Sequence, residues 1–237
     1  MENTKINKII DDTESFYKNN QESFSQTRQG PWPGWKKLIE IANKRFENNN
    51  TIRILDLGCG NGRFYPYSKE SFAPNNVEYL GLDNNDYMLV EALLKYQDAN
   101  FKNFDIYRNL DKIEQKFDLV VGFGITHHIP GKEYRLEWFD KVAKLLTKTG
   151  LLCLTFWNLQ SDSRFEKTEN AHDLEENDYY YGWKDTKTKR YVHQYSSEEI
   201  TELSKVFKNK NLELIATYDS DGKNEIMNTY IVLTNSS

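Results

Sequence analysis

The chain has 237 residues, of which 38% are hydrophobic, 14% aromatic and 28% charged. At ~150 residues per domain this suits one large α/β domain with a decorated edge, and is too short for two full catalytic domains. No apolar run approaches the ~18–20 residues of a membrane span, two cysteines exclude a disulfide scaffold or a four-cysteine zinc site, and a net charge of −5 argues against nucleic-acid binding through the global field, while leaving room for a local basic surface.

The chain opens on Met1-Glu-Asn-Thr-Lys5, without the apolar stretch of a secretory leader, which predicts a cytoplasmic protein. Residues 1–50 read as helical: Ile6, Ile9 and Ile10 recur at helical spacing, and Trp35, Leu38, Ile39, Ala42 and Phe46 do so again. Between them Phe24-Ser-Gln-Thr-Arg-Gln-Gly-Pro-Trp-Pro-Gly34 breaks any helix. Strands and helices then alternate. Ile52–Leu57, Val77–Leu82, a weak Asn103–Ile106, Phe117–Val121 and Leu151–Phe156 read as strands; Arg63–Ser71, Asp86–Tyr96 and Tyr134–Leu146 read as helices, the last ended by Thr149-Gly150. This order means βαβ units and a parallel sheet covered on both faces. Residues 159–195 are polar and aromatic without clear period, and read as an insertion. A helix over Ser197–Phe207, capped by Ser196 or Ser197, precedes two strands, Leu212–Tyr218 and Glu225–Thr234. The short turn Asp219-Ser-Asp-Gly222 permits only antiparallel pairing, so one strand of a terminal hairpin runs against the rest of the sheet.

The strongest chemical signal is Asp56-Leu-Gly58-Cys59-Gly60-Asn-Gly62-Arg63, after a strand and before a helix. Glycines there let the backbone turn sharply and approach a ligand lying against a helix N-terminus at the sheet's C-terminal edge. A nicotinamide-binding loop would place its third glycine at position 63, which is Arg63. Asp83 closes the second strand, where a carboxylate accepts both hydroxyls of a ribose or, alternatively, caps the following helix. Asp105, closing the third strand, either meets an adenine amino group or is an ordinary loop residue. Gly122 to Pro130 follows the fourth strand at the ligand face; of His127 and His128 one faces the pocket and one is structural, and no carboxylate or cysteine stands at metal-ligand spacing. Two clusters mix aromatics with cations: Thr27-Arg28 with Pro31-Trp32-Pro33, and Asp178 to Tyr195. They suit stacking on an exposed base beside phosphates, or a lid that packs its rings on the core.

The glycine loop, Asp83 and the terminal hairpin together resemble a class I S-adenosylmethionine-dependent methyltransferase, over roughly residues 50–158 and 197–235. Phe24-Ser-Gln-Thr-Arg28, Pro31-Trp32-Pro33, Gly58 to Gly62, Ile125-Thr-His127-His128 and Arg190-Tyr191-Val192-His193 resemble, more narrowly, the tRNA wobble-uridine methyltransferases, which convert a carboxymethyl group on uridine 34 to its methyl ester. The resemblance implies a Rossmann-like, seven-stranded, mostly parallel sheet, with a helical segment over residues 1–50 covering the site, a core of 51–158 and 196–237, and a substrate-side insertion at 159–195. It implies S-adenosyl-L-methionine as cofactor, held by Asp56, Gly58, Cys59, Gly60, Gly62, Arg63, Asp83, Asp105 and Gly122. It implies tRNA as substrate and a small zinc-binding activator subunit as partner, with neither membrane nor DNA involved. Arg28, His128, Arg190, Tyr191 and His193 carry over as the substrate-side residues. The chain departs from the family at the hairpin, where Asp221-Gly-Lys223 lacks the family's arginine, at Val192 in place of a second tyrosine, and in the reduced third-strand motif Phe104-Asp105-Ile-Tyr-Arg108. A small-molecule methyltransferase of the same fold, or a non-catalytic cofactor-binding subunit, are the alternatives.

Overall fold

A strand covered on both faces needs apolar residues with little alternation. Ile54, Leu55 and Leu57 supply this for β1 (Thr51–Leu57), whose last four residues are all buried. β1 pairs in parallel with β2 (Asn76–Asp83) on one side and β4 (Phe117–Gly122) on the other. β3 (Asn100–Asn103) extends the sheet beyond β2, and β5 (Leu146–Trp157) extends it beyond β4, both in parallel. The terminal hairpin of β9 (Leu212–Ser220) and β10 (Asn228–Asn235) completes seven strands in the order β3–β2–β1–β4–β5–β10–β9, with β10 antiparallel to both neighbours. This computed structural model describes residues 1–158, 168–170, 174–182, 188–209 and 211–236.

Helices cover both faces. α2 (Trp35–Arg45), α3 (Phe64–Ser71) and α4 (Asp86–Lys95) bury Trp35, Leu38, Phe64, Leu89 and Ala92 against one. α5 (Lys132–Ala143), α6 (Ser197–Asn209) and the first turns of α1 (Asn3–Gln26) bury Trp138, Phe139, Phe207, Ile6 and Ile10 against the other. Burying each large side chain contributes roughly 1.5–3 kcal/mol. Among the described residues no helix is long and apolar enough to cross a membrane.

Four boundaries differ from the sequence expectation. The third strand lies at Asn100–Asn103, because Phe101 is its buried anchor opposite Gly81; Phe104 only donates its amide to Asp83, and Asp105 starts a turn. α5 stops at Ala143 and Leu146 already pairs with Phe117, so Thr149-Gly150 lies inside β5. The hairpin turns through a longer loop, 221–227, closed by Met227 N–H to Asp221 carbonyl at 3.1 Å, and its second strand starts at Asn228. Within the segment read as aperiodic, β6 (Thr168–Asn170), β7 (Asp178–Gly182) and β8 (Lys189–His193) form a second, antiparallel sheet. α1 packs along β8, with Asn20 Nδ2 donating to Thr188 Oγ1 at 3.0 Å. Trp183, Lys184 and Lys187 of the second aromatic cluster lie outside the described residues.

Candidate active site

β1 ends in the glycine loop, and the backbone there holds itself. The amides of Gly58 and Cys59 both donate to the Leu82 carbonyl, at 2.8 and 3.1 Å, which ties the loop to the end of β2. Gly58 has φ of +72°, and a Cβ at this position would run into Ile125 Cγ2, so both conformation and packing require glycine. Asp83 follows at the strand end: Oδ2 accepts the Gly60 amide at 2.8 Å and Oδ1 the Asn85 amide at 2.9 Å. The cap of α4 is Asn85, which accepts from Met88 N–H at 3.2 Å, so Asp83 does not serve as the cap. Burial raises the Asp83 carboxyl above its ordinary value while those amides pull it down.

These elements form the loop end of a cleft of about 1060 Å³ that is open to solvent. Asp56, Gly58, Cys59, Gly60, Arg63 and Asp83 line it. Asp56 is 2% exposed and accepts from the Tyr79 hydroxyl; burial pushes its carboxyl up to about 7. Burial lowers Arg63 to about 10, leaving a cation at neutral pH that donates to the Gly30 carbonyl at 3.1 Å and lies 5.0 Å from the Trp32 ring. Burial pushes the Cys59 thiol well up, so it stays protonated. Gly62 also has positive φ, +75°, but turns inward onto Phe101. Gly122 packs on Leu154 and Ile125 and does not line the cleft, whose wall here is Phe123 and Gly124. Asp105 is also outside the lining: its carboxylate accepts from the amides of Tyr107 (2.9 Å) and Arg108 (3.0 Å) and pairs with the Arg108 guanidinium at 2.9 Å, and Ile106 and Tyr107 line the cleft instead.

The strap end, which abuts the glycine loop through Asn61 and Arg63, is built from side chains of distant segments. After α1 the chain runs over the cleft as a strap carrying Arg28 and Trp32. The Arg28 guanidinium sits 3.3 Å above the Phe24 ring and donates to Thr27 Oγ1 at 2.7 Å. Asn61, inside the glycine loop, donates to the Arg28 carbonyl at 3.0 Å. Trp32, Trp35, Phe64 and Phe123 make an aromatic wall with centroid separations from 4.9 to 6.0 Å. The wall is clasped from the terminal hairpin: Asp221 Oδ1 accepts the Gly34 amide at 3.0 Å, and Oδ2 accepts Asn228 Nδ2 (2.8 Å) and the Tyr230 hydroxyl (2.6 Å).

Of the paired histidines, His128 lines the cleft. Its Nδ1 lies 2.8 Å from the Tyr191 carbonyl, which can only accept, so Nδ1 carries the hydrogen and Nε2 accepts from the Tyr17 hydroxyl at 2.7 Å. Burial and the Arg190 cation lower His128 to about 3, so it is neutral. His127 is fully buried and stacks on Trp157 at 3.8 Å. The remaining sequence candidates lie behind the cleft wall. Tyr191 donates to Asp178 Oδ1 at 2.6 Å; His193 bridges Asp178 Oδ1 (2.7 Å) and Glu199 Oε2 (2.9 Å); Arg135 stands 3.7 Å from Asp178. That buried network joins the second sheet to α5 and α6. Arg190 is 1% exposed and packs among aromatic rings. Sequence reasoning missed Tyr17, Asn61, Trp157 and Asp221 as site residues. Asn61 carried a local signal, as the residue between the second and third loop glycines, and Asp221 one as the first residue of the hairpin segment compared with the family.

A family model described as a methyltransferase domain matches residues 55–152. A protein of Encephalitozoon cuniculi, named provisionally as a methyltransferase, is 29% identical over 189 residues, 79% of this chain and 82% of that one. The tRNA (carboxymethyluridine(34)-5-O)-methyltransferase of Saccharomyces cerevisiae is 26% identical over 160 residues, 68% of this chain; the chain spans 52% of that enzyme's length. Among solved structures, an S-adenosylmethionine-dependent methyltransferase of Clostridium acetobutylicum aligns over 92% of this chain and 99% of its own, with TM-score 0.64 and 16% identity.

Proposed function

We propose that this chain, a class I S-adenosylmethionine-dependent methyltransferase, esterifies an acid: the carboxymethyl group of a modified wobble uridine in tRNA. The observation that supports an acid acceptor is the chemistry of the strap end. It offers a cation, Arg28, flat aromatic walls and a neutral His128 whose two ring nitrogens are both engaged. Asp56 and Asp83 are held by Tyr79 and by backbone amides at the other end. A hydroxyl or amine acceptor would have to lose a proton to a base poised at the acceptor. A carboxylate is nucleophilic as it stands: one of its oxygens takes the methyl group as the methyl–sulfur bond breaks, and no proton moves. Such a displacement needs orientation above all.

The loop end suits the cofactor. A Cβ on Gly60 would meet only Met88 Cε, at 3.3 Å, so a ligand can run close along the backbone there. Asp83 gives one lone pair of each oxygen to an amide and keeps the others for ribose hydroxyls. The Arg63 cation suits the carboxylate of the methionyl part. When bound, S-adenosylmethionine supplies an electrophilic methyl group on a sulfonium. In this reading residues 1–50 cover the site, the segment 159–195 forms its substrate side, a small zinc-binding subunit is the activating partner, and the enzyme works in the cytoplasm.

The test is transfer of labelled methyl from S-adenosylmethionine into bulk tRNA, with and without a candidate activator subunit. The expected label maps to the wobble uridine and is released as methanol by mild alkali, as an ester requires. The net charge of −5 favours a second reading, a small-molecule acid as acceptor. Unlabelled tRNA with intact cofactor binding selects it, and the salt dependence of acceptor affinity, steep for tRNA and shallow for a metabolite, separates the two.

A further inference from the structure

Arg190 in β8 is the anomaly of the molecule. It is 1% exposed, yet Nε, Nη1 and Nη2 all lack a hydrogen-bond partner. Among the described residues no carboxylate pairs with it. What surrounds the guanidinium is aromatic: the rings of Phe16, Tyr181, Tyr17 and Trp157 lie 4.7, 4.9, 5.6 and 5.6 Å from its carbon. Ring faces attract a cation but take up few of five N–H donors. Two neighbours share the condition. Trp157 Nε1 is buried without an acceptor, and His127, stacked on the same indole, has both ring nitrogens unpartnered.

Buried polar groups are nearly always satisfied, and an unpaired buried charge is the costliest exception. Here the orphans are dominated by donors around one cation, so the missing component is an anion. A planar guanidinium fork fits a carboxylate through two parallel hydrogen bonds. The cluster also adjoins the cleft, because Tyr17, Trp157 and His128 line it on their other sides.

We propose that Arg190, with the indole N–H of Trp157 and an imidazole nitrogen of His127, is a carboxylate receptor entered from the cleft when the Tyr17 and Trp157 rings turn aside. It rests on the reading above that the acceptor is an acid, and it deepens that reading in two respects. The receptor selects the acid over its ester or amide. It also drives release: once a carboxylate oxygen carries the methyl group, the product has lost the negative charge that the fork grips. A carboxylate held through one lone pair on each oxygen keeps another on each for the incoming methyl.

The test is calorimetric titration of 5-carboxymethyluridine and of its methyl ester, with S-adenosylhomocysteine present, into the wild-type chain and Arg190→Gln. The wild type is expected to bind the acid at least tenfold tighter than the ester, and Arg190→Gln to bring the two within about twofold. An unchanged ratio in Arg190→Gln, or no preference in the wild type, overturns the proposal. So does Arg190-dependent binding of uridine 5′-monophosphate without any preference for the acid, which would assign the cation to a phosphate. Should Arg190→Gln fail to fold, Trp157→Phe removes a single N–H and is expected to reduce the acid-over-ester ratio three- to fivefold; an unchanged ratio there counts equally against the receptor. An intact preference with unlabelled tRNA leaves the receptor standing and ends the tRNA reading. Labelled tRNA with no Arg190-dependent preference does the reverse.

Discussion

At the loop end of the cleft the backbone does the holding: Gly58 and Cys59 hang from Leu82, and Asp83 is fixed by the amides of Gly60 and Asn85, all within two strand ends. At the strap end side chains do it, across spans of 111 residues from Tyr17 to His128 and 187 from Gly34 to Asp221. The lining at the first end is specified by local chain geometry, and at the second by the whole tertiary structure. The first end should therefore fail abruptly when its backbone is altered, and the second should loosen by degrees.

Gly58→Ala is the sharpest way to break the loop end. A left-handed conformation without glycine costs about 1–2 kcal/mol, and forcing a methyl against Ile125 about 1–3 more. Loss of cofactor binding by calorimetry and a large fall in melting temperature are expected. Asp221→Ala attacks the clasp instead. It orphans donors from Gly34, Asn228 and Tyr230, at about 1–3 kcal/mol for each that stays buried. The expected signature is lowered stability with acceptor KM raised more than cofactor Kd; equal effects on both would show that the two ends are not separable. Asp83→Asn should weaken cofactor binding by roughly 10- to 100-fold, the worth of hydrogen bonds to a charged group, and should lower the melting temperature as well, because its NH2 faces one of the two amides that Asp83 accepts. Arg28→Ala should raise acceptor KM about tenfold and leave cofactor Kd alone.

Acid stability sharpens the contrast further. His128 is lowered from 6.5 to about 3 and His127 well below 6.5, both chiefly by burial, so the unfolded chain takes up two protons below pH 6.5 that the fold refuses. Their contribution is present above pH 6.5 and is lost as the pH falls, for His128 toward about 3. Asp56 runs the other way, because the fold keeps its proton up to about 7 and the unfolded chain releases it near 3.8. For these three groups, two protons against one leave a net uptake of one on unfolding, so between roughly pH 4 and 6.5 their summed contribution to stability falls as the pH is lowered. Denaturant melts of the cofactor-free protein across that range measure the slope, and His128→Asn should flatten it.

The same contrast explains what the sequence could say. Alternating strands and helices, the glycine loop and Asp83 are short-range patterns, and a linear reading recovers them. Boundaries slipped where a local pattern continued past its element: Phe104 and Ile106 alternate like a strand but follow it, and Leu146 keeps the helical period of α5 while pairing with Phe117. β7 and β8 escaped notice because their aromatic and charged residues pack on α1 and on a buried polar network rather than on one apolar face. The choice between His127 and His128 was open for the same reason: it depends on a carbonyl at Tyr191 and a hydroxyl at Tyr17.

The place of β10 bears on how the protein is made. It is the last strand among the described residues, yet it lies inside the sheet, between β5 and β9. During synthesis β5 must wait with an open edge until residues 228–235 emerge, and β9, though finished earlier, has nothing to join. The Asp221 clasp on Gly34 also draws two of its donors, Asn228 and Tyr230, from β10. The loop end, drawn from β1, β2 and the start of α4, can thus assemble before β10 pairs, whereas the clasped wall is complete only once residues 228–235 have inserted between β5 and β9.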